Sequence, residues 1–168
     1  MSGPLASIPV GVIVERSKGA TPWAEFYWRA VSVLPGQPET APWTRLSDDG
    51  ERVTFYAGTA DILLYPTETG FYRDNLASGA PSLWVALRPV EADPPFSVSV
   101  VTADPNEGEG LTETATELVE QVPMPSVIAQ VVEAFVAQHH VEQPFFKRKR
   151  DRANPEALAR RGRGDDDE

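Results

Sequence analysis

Few side chains in this 168-residue sequence could do chemistry, and cysteine is not among them. Its absence removes thiolate nucleophiles, iron–sulfur ligation and disulfides together. The two histidines, His139 and His140, are adjacent. Neighbouring side chains on a helix point about 100° apart, so the pair is a poor chelate for one metal. Neither histidine is accompanied by a Gly-x-Ser-x-Gly nucleophile turn, and neither common glycine-rich phosphate cradle occurs. Asp48 and Asp49 fall in a Ser-Asp-Asp-Gly-Glu stretch, where Asp serves turn hydrogen bonding. A carboxylate pair drawn from distant strands, as in a glycosidase, is selected by no local pattern. The reading assigns no catalytic residue, no metal ligand and no cofactor.

Other clusters point to binding. Trp23, Phe26, Tyr27 and Trp28 lie within six positions. A strand presents both faces, so core packing explains most of them and leaves one for an interface. Tyr72-Arg73-Asp74-Asn75-Leu76 places Tyr72 and Leu76 four apart, facing inward on a helical turn. Arg73, Asp74 and Asn75 then present polar groups outward or tie the turn to a sheet. Near the C-terminus, Phe145 and Phe146 precede Lys147, Arg148, Lys149 and Arg150.

Charge sets the context for that basic run. The net charge is −10, which disfavours nucleic acid as a partner. Residues 89–146 hold 10 acidic residues and no Lys or Arg, whereas residues 147–163 hold 8 of the 15 basic ones. The phenylalanines are expected to anchor on the body and the basic run to lie beside the acidic region, with the rest of the tail solvated. Binding of nucleic acid through the run is the competing reading.

The elements that must position these residues are mostly strands. Ile8, Val10, Val12 and Val14 alternate, as do Phe96, Val98 and Val100. Further strands are expected over 26–34, 43–46, 52–56, 61–65 and 83–88, with a hairpin at Asp49-Gly50 and a bend at Gly58. A helical turn covers 67–76, with Thr67 or Thr69 capping its start. Residues 104–110 read as an acidic loop. Thr114 and Glu117 suggest a capping box for a short helix at Leu118 and Val119. Val127, Ile128, Val131, Ala134 and Phe135 share a face of a last helix ending near the histidines. The expected fold class is α+β: an antiparallel sheet or small barrel of about six strands, two C-terminal helices and a charged tail. The expected domain spans 1–146, with 147–168 as an extension. No basic, apolar leader opens the sequence and no window approaches a membrane span, so a cytoplasmic, non-membrane protein is expected.

Several stretches resemble a bacterial family of unknown function encoded beside molybdenum-dependent formate dehydrogenases and their maturation factors. They are Ile8-Pro9-Val10-Gly11-Val12 with Pro22-Trp23, Trp28-Arg29-Ala30-Val31 and Phe55-Tyr56-Ala57-Gly58. Tyr72-Arg73-Asp74-Asn75-Leu76, Leu83-Trp84-Val85, Val122-Pro123-Met124-Pro125 and the Phe-Phe-Lys-Arg-Lys-Arg run continue the likeness. The resemblance brings no chemistry and no catalytic residues. It implies a non-enzymatic accessory protein that assists assembly or maturation of such a dehydrogenase. The partner would be a formate dehydrogenase subunit or maturation factor. The candidate contacts are Trp23, Trp28, Tyr72, Arg73, Asp74, Asn75, Lys147, Arg148, Lys149 and Arg150. An enzyme or small-ligand β domain with a carboxylate site is the alternative class.

Overall fold

A computed structural model describes residues 3–19 and 26–141. Alternation builds the first sheet. β1 (Ala6–Ser17) turns Ile8, Val10, Val12 and Val14 to the core. It sits between β2 (Tyr27–Pro35) and β4 (Arg52–Leu64), with β3 (Thr44–Asp48) beyond β4, all antiparallel. The β3–β4 turn forms as expected: Asp49 accepts from the N–H groups of Glu51 and Arg52, Asp48 accepts from that of Gly50, and Gly50 has φ +93°.

The expected bend at Gly58 is a bulge inside one continuous strand. Val12 pairs with Gly58 and Ile13 with Tyr56, leaving Ala57 as the extra residue. The inward set shifts with it, from Val53 and Phe55 before the bulge to Ile62 and Leu64 after it. A positive φ at Gly58, +142°, makes glycine the fitting residue there.

The second sheet has the order β6-β5-β7. β5 (Ser82–Pro89) and β6 (Phe96–Thr102) match their expected strands. β7 (Leu118–Pro123) stands where the capping-box pattern suggested a helix; it pairs with β5 from Ser82↔Pro123 to Leu87↔Leu118. That pairing buries Val122 and outweighs the local signal. The sheets enclose one core, with β4 against β6 and β2 against β7. The fold is therefore α+β and antiparallel, in two sheets of four and three strands rather than a single six-stranded sheet or barrel.

Among the described residues three helices interleave with the strands instead of following them. α1 (Thr69–Leu76) comes after a 3-10 turn at Pro66–Glu68. No threonine side chain caps it; Thr69 donates its hydroxyl to the Pro66 carbonyl and meets His140. α2 (Pro105–Thr114) replaces the expected acidic loop. Asp104 caps it by accepting from the Asn106 N–H, and Pro105 occupies the first turn. Gly108 lets it lie against the Trp84 ring, into which any Cβ there would run. α3 (Ser126–His139) buries Ile128, Val132, Phe135 and Val136. Val127 and Val131, expected inside, are 54% and 44% exposed, and Ala134 is exposed too. The helix is apolar around most of its circumference, so spacing alone did not choose the buried face. Among the described residues no helix is long and apolar enough to cross a membrane.

Candidate functional site

Two places gather the expected side chains. The first is one end of the core, where Trp28 of β2 stands opposite Arg16 of β1. Trp28 stacks on Phe55 at 5.8 Å and meets Trp43 edge-on at 5.9 Å, with Phe96 of β6 at 6.0 Å. The Arg16 guanidinium lies 4.3 Å from the Phe26 ring centre and 5.5 Å from that of Phe55. Cation–π attraction to these rings helps to hold the charge. This end is filled by its own side chains. Trp28, expected as a partner contact, is half-buried and engaged within the protein.

The second place is the seam between the sheets. β3 pairs with β4 only as far as Tyr56, so among the described residues one edge of β4 past the bulge carries no strand. β6 is the edge of its own sheet. The two free edges face each other across a groove that starts where Gly58 approaches Val98. Two adjoining cavities of about 180 and 260 Å³ occupy it and share Leu63, Tyr65 and Glu107. Asp61, Glu68, Asp104 and Glu107 supply its carboxylates, and the cavities' described lining contains no Lys, Arg or His. Leu63 is 42% exposed in its midst.

α1 closes one end. Tyr72 is only 1% exposed and lines the groove floor, where its hydroxyl accepts from the Tyr65 N–H at 3.0 Å. Burial pushes its pKa up to about 12; Asp104, Glu68 and Glu107 push the same way, and the Tyr65 hydrogen bond opposes them. Asn75, 4% exposed, donates to the carbonyls of Ser82 and Ala103 and accepts from the Ser82 N–H. It ties the helix to β5 and to the end of β6. Tyr72 and Asn75 therefore position the groove from inside, whereas Arg73 and Asp74 are exposed. Trp23, Lys147, Arg148, Lys149 and Arg150 lie outside the described residues. The histidines diverge: His139 packs 4.5 Å from the Phe135 ring, and His140 Nδ1 lies 2.9 Å from Thr69 Oγ1.

The sequence reading missed Asp61, Leu63, Glu68, Asp104 and Glu107 as a group. Asp104-Pro105, an N-cap residue followed by a first-turn proline, was the available signal for α2. The free edges had none, because they depend on which strands pair.

The family described as "Protein of unknown function (DUF3305)" matches residues 9–150. The chain belongs to this family. The matched span of this DUF3305 chain contains both sheets apart from the first three residues of β1, the three described helices and the basic run. No curated protein and no solved structure matches it.

Proposed function

We propose that this DUF3305 chain is a non-enzymatic accessory protein that binds an extended segment of another protein along the groove between β4 and β6. The carrying observation is a pair of facing strand edges, on β4 and β6, that have no strand partner there among the described residues. Unpaired N–H and C=O groups on a strand edge are a template for an added strand, and the flanking side chains then select its sequence. The carboxylates along this groove favour a basic segment. The family resemblance supplies the partner class: a subunit or maturation factor of a molybdenum-dependent formate dehydrogenase.

The test is affinity purification of the full chain from its host beside the variant Asp61→Lys/Glu107→Lys. Both residues are exposed, so the variant should melt within about 2 °C of the parent. The parent should enrich a dehydrogenase subunit or maturation factor and the variant should lose it. Equal capture by both, or no such protein with the parent, overturns the reading.

A further inference from the structure

The last described residues lie beside the groove. His140 ends α3 against Thr69, next in sequence to Glu68, and Glu68 and Tyr72 line the groove. Val141 follows and is 77% exposed. After three more residues comes the Phe-Phe-Lys-Arg-Lys-Arg run at 145–150. At about 3.3 Å per extended residue, Phe145 is within about 13 Å of Val141 along the chain.

The fit is one of length, charge and apolar surface. The groove runs along β4 from Thr59 to Tyr65, a stretch that six extended residues can follow. Four carboxylates line it and four basic side chains follow the phenylalanines. Exposed Leu63 offers the phenylalanines an apolar seat. The family match runs to residue 150, the last residue of the basic run.

We infer that residues 145–150 of the same chain occupy this groove, so that a partner's basic segment must displace them. The inference rests on the groove being a binding site and adds a regulator to it. Tethering gives the chain's own segment a high effective concentration, so a partner engages only when it binds better or when the segment is drawn away. The aromatic pair anchors and the charges set direction.

The chain has no cysteine, so introduced pairs report alone. In the full chain, Leu63→Cys/Phe146→Cys should form an intramolecular disulfide on mild oxidation. It should form about tenfold faster than Leu46→Cys/Phe146→Cys, whose first site is exposed on β3. Adding Asp61→Asn/Glu107→Gln should slow it about fivefold at low ionic strength, the effect of two surface charge pairs. Disulfide-linked dimers in place of the internal bond would assign the segment to a second copy and overturn the inference. Equal rates for the two pairs would overturn it as well. Partner capture that depends on Asp61 and Glu107 without the internal crosslink leaves the proposed function standing and this inference fallen. The crosslink without such capture does the reverse.

Discussion

The aromatic end and the acidic groove are built from similar materials and come out opposite. Each combines large side chains with charge at a place where the two sheets meet. At the aromatic end the rings of Phe26, Trp28 and Phe55 flank the Arg16 guanidinium. In the groove, carboxylates line a cleft whose backbone edges lack strand partners among the described residues. A cluster that satisfies its own charge is architecture. One that leaves backbone and charge unmatched has something to offer a ligand. The tryptophan cluster drew attention in the sequence, yet the groove is the better candidate.

Three measurements would sharpen or break this contrast. The largest effect is expected from Asn75→Ala, because Ser82 N–H, Ser82 C=O and Ala103 C=O would all lose their side-chain partner in a buried place. A loss of about 3 kcal/mol in denaturant unfolding is expected. A loss below about 1 kcal/mol would mean that α1 is held by other contacts and that Asn75 does not set the groove's end.

Trp28→Ala should follow at about 2–3 kcal/mol, less than a fully buried tryptophan because Trp28 is only half-buried. The comparison predicts that partner capture by the folded variant is unchanged. If Trp28→Ala abolishes capture while the protein stays folded, the aromatic end is the interface and the assignment reverses.

The smallest effect is a pH dependence. The Tyr72 phenol has its pKa raised from 10 to about 12, so above pH 10 the unfolded chain releases a proton that the folded chain keeps. The stabilisation is whole below pH 10 and is lost as pH rises through about 12. Unfolding free energy should therefore fall across that window, and Tyr72→Phe should remove this part of the fall. A slope identical in parent and variant would place Tyr72 in a more solvated setting than the groove floor.

Much of the fold was legible because it rests on local repetition. The alternation in β1 and β6 and the Asp49-Gly50 turn each carry their cause in neighbouring residues. What was not legible depends on distant partners. α2 contains Gly108 and Gly110, poor helix formers, and stands because Gly108 fits against Trp84 from another element. β7 follows a helix-start pattern and becomes a strand because β5 has an edge to fill. The groove was hidden for the same reason: Asp61 and Glu107 are 46 positions apart, and only the packing of β4 beside β6 and the α2 that follows it brings them to one cavity.

The bulge at Ala57 has a consequence for how the molecule came to possess a cleft. β3 accompanies β4 only as far as Tyr56, with a slip of register of its own between Arg45 and Ser47, and the surplus Ala57 in the pairing of β4 with β1 comes next. The remainder of β4 travels on alone toward α1, its inward side chains counted on even numbers where they had been odd. Were Ala57 paired in step instead of bulged out, the count set by Val53 and Phe55 would run on, turning Ile62 and Leu64 to solvent and Asp61 and Leu63 to the interior. The surplus residue is thus what hands the core its second apolar pair, Ile62 and Leu64, along the stretch of β4 that borders the opening.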